Sequence, residues 1–401
     1  MKIGVLKERK SPPDERVPFT PAQCAKIMSD FKGVTVVVEP SDIRCFTDKQ
    51  YTEAGITLQE DLSDCDILMG VKEVPKENLI PNKTYFFFSH TIKEQPYNRD
   101  LLRKLISSDI RMIDYETLVY DNGARVLGFG RYAGIVGAYN GFLALGKRIG
   151  SFELKPANEC EDRAEMEAQL SQIILPSDYR IIVTGKGRVG QGAEEVLTKM
   201  NLRKVSSEEF KHRSFEEPVY CVVDVDEYYV KDEGTEFDMS EFFEDPTGYK
   251  STFNEYSNVA DMYIACHYWD SRAAYIYTRQ DMKAPDWNIQ LVADISCDID
   301  GPVASTIRPS TIADPHYGYN PQTEKEDDFM NQDSIGVMAV DNLPCELPKD
   351  ASEDFGQNLI KEILPALLVQ DTKGIIKRAI MCENGALTER FNYLTDYVGK
   401  L

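Results

Sequence analysis

The sequence is short of basic residues, has no C-x-x-C cysteine pair and has no long apolar run at its N-terminus. It contains 45 lysine and arginine residues against 67 aspartate and glutamate residues, a formal net charge of -22 over 401 residues. This excess argues against binding to nucleic acid or to anionic membranes, because both carry charge of the same sign. We interpret it as a solvated acidic surface and expect neither kind of partner.

The nine cysteines are scattered along the sequence, and because their number is odd they cannot all pair in disulfide bonds. This pattern is typical of reduced thiols, and it predicts neither a disulfide framework nor a metal site. The opening Met-Lys-Ile-Gly-Val-Leu is too short an apolar run for a signal peptide. The apolar stretch after Gly128 is interrupted by Arg131, Asn140 and Lys147, which excludes a membrane span. We therefore expect a cytoplasmic protein.

What the sequence does contain is alternation of strand and helix signals, over a length that suggests two or three domains. Alternation of this kind predicts an α/β fold with parallel sheets. The strand signals cover residues 2–6, 35–38, 67–71, 85–88, 110–113, 181–183, 219–225, 262–268 and 289–295.

A glycine-rich turn follows the apolar run 181–183. Gly185, Gly187 and Gly190 have G-x-G-x-x-G spacing, and a helical pattern follows from Glu194. Such glycines permit a tight bend, close approach of a diphosphate and close packing of the helix on the strand. The helix N-terminus then offers free N–H groups to phosphate. The turn predicts a dinucleotide site, with a purely structural bend as the alternative.

Two further segments bear on the nucleotide. The second strand of a dinucleotide-binding unit is predicted from Arg203 to Ser207, where serines and cations mix with Glu208, so NAD and NADP both stay open. Farther along, Asp294-Ile295-Ser296 ends the strand 289–295. It is a candidate for contact with ribose or nicotinamide, or it is a plain turn.

Titratable side chains follow three strands of the first part of the chain, namely Lys72, His90 and Glu116. In parallel sheets, ligands bind beyond the carboxyl ends of strands. Lysine as base and histidine as acid suit proton transfer. The alternatives are that Lys72 only pairs with Glu73 or Glu116, and that His90 only caps the next helix.

Local signals complete the pattern. Thr20 and Gln23 form a capping box for a helix starting at Pro21, and Arg16 in the preceding loop is a candidate anion ligand.

Three predictions for longer segments follow from composition and periodicity. They are an acidic, aromatic surface insertion at 226–258, a loop at 301–336, and a helix opened by a capping box at 350–353. We also predict closing helices at about 373–386 and 389–400 that pack on the first domain.

Several segments together resemble the alanine dehydrogenase and saccharopine dehydrogenase superfamily, including lysine–ketoglutarate reductases. The resemblance extends over nearly the whole chain. It rests on Val71-Lys-Glu-Val-Pro75, Phe88-Ser-His-Thr-Ile-Lys93, Phe129-Gly-x-Tyr-Ala-Gly134, Asp294-Ile-Ser-Cys-Asp298 and Asp341-Asn-Leu-Pro-x-Glu-Leu-Pro348.

The resemblance implies two Rossmann-like domains, each with a parallel sheet, that flank an interdomain cleft. The first is a discontinuous substrate domain, 1–132 with 341–401, and the second is a dinucleotide-binding domain, 133–340. The implied reaction interconverts saccharopine with lysine and 2-oxoglutarate, using NAD or NADP. We expect small-molecule substrates and leave a homo-oligomer open.

The resemblance also implies roles for individual residues. Lys72 corresponds to the general base and His90 to the general acid. The implied substrate-binding residues are Arg16, Gln95, Arg125 and Phe129. The implied cofactor-binding residues are Gly185, Gly187, Arg188, Val189, Gly190, Asp294, Ile295 and Ser296. No metal is implied.

Two other functions compete with this one. An alanine-dehydrogenase-like enzyme would use the same proton-transfer pair on a small 2-oxo acid. A regulatory module would bind nucleotide without turnover, although Lys72 and His90 argue against it. The resemblance covers only the reductase half of the bifunctional relatives, and we expect a stand-alone unit.

Overall fold

The structure of the protein, a computed structural model, describes residues 1–399. The chain forms two compact units: residues 1–129 with the chain from Pro348 onward, and Gly130–Leu347. We call them unit 1 and unit 2. From the sequence we expected the chain to pass from one functional domain to the other after residue 132 and back after residue 340. That units 1 and 2 correspond to these functional domains stays a prediction.

Most strands are short and come from apolar, often β-branched sequence. In chain order they are β1 Lys2–Val5, β2 Thr35–Val38, β3 Thr57–Leu58, β4 Ile67–Met69, β5 Thr84–Phe87, β6 Arg111–Asp114, β7 Arg180–Thr184, β8 Arg203–Lys204, β9 Val219–Val223, β10 Tyr229–Lys231, β11 Tyr249–Ser251, β12 Met262–Ala265, β13 Leu291–Asp294, β14 His316–Asn320, β15 Lys325–Asp327, β16 Ile335–Met338, β17 Ile380–Glu383 and β18 Ala386–Leu387.

The α-helices alternate with these strands. They are α1 Pro21–Asp30, α2 Asp48–Glu53, α3 Arg99–Ser107, α4 Gly130–Ile149, α5 Arg163–Gln169, α6 Arg188–Lys199, α7 Ser207–His212, α8 Val225–Tyr228, α9 Met239–Glu244, α10 Asn254–Ser257, α11 Pro348–Asn358, α12 Leu364–Leu368, α13 Ile375–Ala379 and α14 Thr395–Val398. Within residues 1–399, every helix is too short or too polar to traverse a lipid bilayer.

Unit 1 is built on an eight-stranded sheet with the order β18-β17-β6-β5-β4-β1-β2-β3. The strands from β6 to β3 pair in parallel. Alternate residues of β2 enter different apolar clusters, Val36 and Val38 one and Val37 the other. Both faces of the sheet are therefore covered, as in parallel sheets generally.

Unit 2 has a second eight-stranded sheet, with the order β15-β14-β16-β13-β12-β7-β9-β8. Its five strand pairs from β16 to β8 are parallel, and only the β14 and β15 pairings are antiparallel. The predicted α/β class with two parallel-rich sheets is thus confirmed.

Small residues bring α4 close to the backbone of another helix in unit 2. A Cβ atom on Gly134 of α4 would lie 1.9 Å from the Val189 carbonyl oxygen of α6, and one on Gly192 would lie 2.0 Å from the Arg131 oxygen. Arg131 also makes a two-pronged ion pair with Glu195 across the same contact, at 2.7 and 2.8 Å. The two helices are in backbone contact.

Of the two capping boxes predicted from the sequence, one is confirmed and the other is wrong. The Thr20 side chain accepts the Gln23 N–H and Gln23 reaches back, so the first capping box is confirmed. The second is wrong, because α11 already starts at Pro348 and Asp350 lies in its first turn.

Four longer predictions require correction. Residues 301–336 contain β14 and β15 rather than a loop. The closing segment contains β17, which pairs antiparallel with β6, where a helix was expected. Ser206 does not end a strand but caps α7. The segment 226–258 contributes buried aromatic side chains to the core of unit 2, so it is not merely a surface insertion.

The contact between α4 and α6 makes a testable prediction for Gly134→Ala. The added methyl group overlaps backbone that cannot move without separating the helices, and we expect a loss of about 1–3 kcal/mol. Gly187→Ala is the matched control, because its Cβ would meet nothing within 4 Å. Thermal unfolding measures both. Equal melting temperatures for the two variants would contradict the packing described.

Candidate active site

Lys72 lies just beyond the end of β4, in a turn held by a buried carboxylate. The two oxygens of Glu8, which follows β1, accept the backbone N–H groups of Val71 at 2.7 Å and Lys72 at 2.9 Å. Burial raises the pKa of Glu8 to about 7, despite these two bonds. The backbone that carries Lys72 is therefore fixed to the neighbouring strand, while its side chain is half-buried.

Arg16 lies in the same part of unit 1, and its guanidinium group already forms an ion pair within the protein. Its guanidinium group binds both carboxylate oxygens of Asp14, at 3.0 and 2.6 Å, and it is 2% exposed. Its charge centre stands 4.2 Å from the ring centre of Phe129, which stacks on Phe355 at 4.4 Å. Of the predicted substrate residues, Arg16 and Phe129 thus form one stack.

His90 follows β5 directly and adopts a left-handed conformation, with φ of 55°. Its Nδ1 atom lies 3.1 Å from a carboxylate oxygen of Glu116, which follows β6. The imidazole makes no cap bond to the turn that comes next, so the alternative role as a cap is wrong. The ring of His90 is thus in contact with Glu116.

Glu116 is the centre of a charged group. Besides His90, it pairs with Arg125 at 3.2 Å and with Lys93 at 4.0 Å, and its side chain is 5% exposed. Burial by itself would raise the pKa of Glu116, but the hydrogen bond from His90 and the charges of Lys93 and Arg125 outweigh it and lower the pKa to about 2. The carboxylate therefore stays ionised and holds three cationic or basic groups around it.

The predicted residues of unit 1 are thus partly brought together. Lys72 and His90 follow β4 and β5, which pair in parallel with Met69 opposite Phe86. Glu73, one suggested partner of Lys72, binds Lys10 at 2.6 Å. Gln95 is exposed, and its backbone oxygen accepts the Tyr397 hydroxyl at 2.5 Å.

In unit 2, the glycine turn has the geometry that a diphosphate requires. Gly185 has φ of 93°, and a Cβ on Gly190 would lie 1.8 Å from its carbonyl oxygen. Gly187 is the N-cap of α6, has no side-chain cap bond and has open space where a Cβ would stand. The first helical residues are Arg188 and Val189. The residues present therefore fit a bound phosphate group.

The second predicted cofactor segment, residues 294–296, forms a turn that is held by hydrogen bonds to its own first residue. Asp294 is fully buried, and its Oδ1 atom accepts the Ser296 and Cys297 N–H groups at 3.1 Å and the Ser296 hydroxyl at 2.5 Å. The Ile295 N–H donates to the Ala265 oxygen of the neighbouring strand. Asp294 thus shapes its own loop.

Sequence reasoning missed Asp224. One of the two parallel neighbours of β7 is β9, with Thr184 opposite Val223, so Asp224 follows that strand beside Gly185. An acidic residue after the strand next to the glycine turn is the usual ribose ligand of dinucleotide-binding folds. The apolar run at 219–223 was the signal that could have identified this strand, but the more polar segment 203–207 was interpreted as the second strand instead.

Comparison with known sequences shows which proteins this chain is similar to. Residues 4–136 match the model of the alanine dehydrogenase/PNT N-terminal domain. The chain is 30% identical to alpha-aminoadipic semialdehyde synthase of Arabidopsis thaliana, over 98% of this chain and 41% of the plant protein. The mitochondrial synthase of Mus musculus is also 30% identical, over 95% of this chain and 46% of that protein. The chain thus spans less than half the length of these relatives.

A relative of similar length is saccharopine dehydrogenase (NAD+, L-lysine-forming) of Neurospora crassa, 25% identical over 88% of this chain and 87% of that enzyme. Among solved structures, an L-alanine dehydrogenase matches with a TM-score of 0.65 at 17% identity, covering 100% of both chains. A transhydrogenase from Sinorhizobium meliloti matches with a TM-score of 0.56 at 14% identity, over 97% of this chain and 99% of that one. These two structures share the fold.

The depressed pKa of Glu116 predicts how stability depends on pH. The group binds fewer protons in the folded than in the unfolded state, so its contribution is complete above pH 4.5 and is lost as the pH falls towards 2. The loss amounts to at most about 3 kcal/mol. In urea denaturation, the wild type should lose more unfolding free energy than Glu116→Gln between pH 5 and pH 3.

Glu8→Gln serves as the control with the opposite sign. Because the pKa of Glu8 is raised to about 7, ionisation of this group removes stability as the pH rises from 4.5 to 7. Wild type and Glu8→Gln should therefore diverge on that side. Parallel pH curves for wild type and Glu116→Gln would contradict the ionised group around Glu116.

Proposed function

We propose that this chain, a member of the alanine dehydrogenase superfamily of nicotinamide-dependent oxidoreductases, interconverts saccharopine with L-lysine and 2-oxoglutarate. The observation that carries the proposal is the set of side chains beyond adjacent parallel strands of unit 1: Lys72 after β4, and His90 after β5 with Glu116 bound to it. A base and an acid at one sheet edge suit a reaction that moves protons in both directions.

The chemistry of the reaction requires such a pair. Saccharopine, the oxidised cofactor and water give lysine, 2-oxoglutarate, the reduced cofactor and a proton. Lys72 takes the proton of the secondary amine as the neighbouring carbon loses hydride. Water then adds to the imine carbon, and the carbinolamine loses lysine when its nitrogen is protonated. In this assignment His90 gives and receives the protons of the later steps, and Glu116 fixes its ring.

Substrate carboxylates need cationic partners, since saccharopine carries several of them. Arg125 is 56% exposed at its side chain and Lys93 is 51% exposed, although both pair with Glu116. Both are therefore accessible to an anionic substrate. We assign substrate contact to Arg125 and Gln95. We assign Arg16 and Phe129 to the wall of the substrate site rather than to direct binding of a carboxylate, because Asp14 already neutralises the charge of Arg16.

The cofactor assignment rests on unit 2. The N–H groups at the start of α6 and the open face of Gly187 would hold the diphosphate, and Arg188 and Val189 would lie next to it. When bound, the nicotinamide supplies the hydride acceptor. We propose NAD rather than NADP, because Asp224 suits a ribose hydroxyl and repels a phosphate. Lys186, which lies in the glycine turn, is paired with Glu227.

The direct test follows reduced nicotinamide with two substrate pairs. We expect consumption with lysine plus 2-oxoglutarate, and not with ammonia plus pyruvate. Consumption with the second pair alone would replace the proposal with an alanine-dehydrogenase-like activity. Binding of cofactor without turnover of either pair would favour a regulatory module.

Variants of the pair belong to the same experiment. Lys72→Met and His90→Gln should each lower turnover by roughly 100-fold or more, the usual range for acid–base groups. Lys76→Met and His212→Gln are matched controls at exposed positions, and both should turn over normally. Near-normal turnover in Lys72→Met and His90→Gln would remove the pair from the reaction.

The cofactor choice has its own variant, Asp224→Ser. Serine keeps the N-cap of α8, which Asp224 provides by accepting the Val225 N–H, so the local fold is retained. Loss of the carboxylate should lower the ratio of kcat/KM for NAD to that for NADP by about tenfold or more. An unchanged ratio would refute the assignment of Asp224 to the ribose.

A further inference from the structure

Asp114 is the last residue of β6, and the function described so far leaves its side chain without a role. It is fully buried, and three donors converge on its carboxyl group. The Oδ2 atom accepts the backbone N–H of Ser89 at 2.8 Å and the Ser89 hydroxyl at 2.5 Å, whereas the Oδ1 atom accepts the backbone N–H of Glu116 at 2.7 Å. One carboxyl group thus joins the turn after β5 to the turn after β6.

These two turns carry groups that we assign to proton transfer. Ser89 immediately precedes His90, whose Nδ1 atom lies 3.1 Å from the Glu116 carboxylate. Because Glu116 stays ionised and can only accept hydrogen bonds, the Nδ1 atom must carry a hydrogen. In the neutral ring, Nε2 is then the nitrogen left to exchange protons with a substrate. The contact between His90 and Glu116 therefore decides which nitrogen can react.

The backbone of His90 needs support from its surroundings. Its φ of 55° lies in the left-handed region, which is unfavourable for a residue with a side chain and persists only where the surrounding structure holds it. The Ser89 Oγ atom accepts the Thr91 N–H at 3.2 Å and lies 2.8 Å from the Thr91 hydroxyl oxygen. The residues on both sides of His90 are thereby joined to each other and, through Ser89, to Asp114.

A carboxyl group is a costly link between two buried turns. Within residues 1–399, Asp114 has hydrogen-bond donors but no lysine or arginine partner. Burial raises its pKa, the hydrogen bonds from Ser89 and Glu116 lower it, and the charge of Glu116 raises it again. An amide would cost less to bury, but it offers one accepting oxygen where these turns need two. The two turns together therefore select an acid at this position.

We propose that Asp114 is a positioning residue of the reaction, which holds His90 against Glu116 by binding the turns that carry both. The inference rests on the proposed function, in which His90 transfers protons. Asp114 acts only through its neighbours. Without it, the ring of His90 is free to leave Glu116 and loses its fixed tautomer, so Nε2 is no longer always the nitrogen that faces the reaction.

The first test observes His90 directly, by nuclear magnetic resonance of isotope-labelled histidine in the full-length protein. The chain has four histidines, and the His90→Gln variant identifies the His90 signals by their absence. In Asp114→Asn, the side chain presents one oxygen and one NH2 group, so it cannot accept from both turns. The nitrogen signals of His90 should then move in the same direction as in Glu116→Gln. The signals of the other histidines should stay in place.

Two more variants complete this measurement. Ser89→Ala removes the hydroxyl but keeps both backbone N–H bonds to Asp114, so it should move the His90 signals less, and it decides the question if Asp114→Asn does not fold. Asp66→Asn is the matched control. Asp66 accepts the Lys2 N–H at 2.7 Å from the position before β4, at the opposite edge of the same sheet. It should leave His90 unaffected.

The second test measures turnover of lysine and 2-oxoglutarate. Asp114→Asn should lower kcat roughly 10- to 100-fold, the range expected when a group that supports a reacting side chain is lost. The KM for the cofactor should stay unchanged, because Asp114 belongs to unit 1 and the cofactor is assigned to unit 2. Asp66→Asn should keep the wild-type kcat. A merely structural role would lower the melting temperature of Asp114→Asn but not the kcat of its folded fraction.

The outcomes separate this inference from the proposed function. If the wild type turns over lysine and 2-oxoglutarate while Asp114→Asn and Ser89→Ala leave the His90 signals in place, the inference is wrong and the proposed function stands. A normal kcat in Asp114→Asn overturns it equally. If the wild type turns over neither substrate pair, the proposed function fails and the inference fails with it. Moved His90 signals, a lower kcat and an unchanged cofactor KM together establish Asp114 as the positioning residue.

Discussion

Parallel pairing of neighbouring strands is the constraint on which the rest of this structure depends. Every strand of a parallel set ends at the same edge of its sheet, so residues that follow different strands meet although they are far apart in sequence. In unit 1 this applies to Glu8, Lys72, His90 and Glu116, which follow β1, β4, β5 and β6. A lysine and a histidine separated by 17 residues of chain thereby become candidates for one proton relay.

At this edge the surroundings, rather than the residue type, decide how each acid behaves. Glu8 and Glu116 are both buried carboxyl groups. Glu8 accepts two backbone N–H groups, and burial still raises its pKa to about 7. Glu116 is also buried, but three cationic or basic groups lower its pKa to about 2. Glu8 chiefly fixes the turn that carries Lys72, whereas Glu116 stays ionised beside His90.

Unit 2 relies on close backbone approach in place of charge. Glycines bring α4 against α6 and α6 against the end of β7, so the N-terminus of α6 stands directly over the turn. The aromatic segment 226–258 fills the space beside it with rings from α8, α9 and β10. The closely packed turn and the buried aromatic rings together give one edge of the sheet a defined shape, which suits recognition of a large cofactor.

The sequence by itself determined the features that depend on neighbours along the chain: the Thr20 capping box, the glycine turn, most strands and the side chains that follow them. It did not determine which strands lie side by side. Asp224 was missed because its nearness to Gly185 comes from β9 inserting between β7 and β8, and β17 was missed because its strand form depends on pairing with the distant β6. Such contacts are decided only by the tertiary structure, since hydrogen bonds between strands and burial outweigh weak local preference.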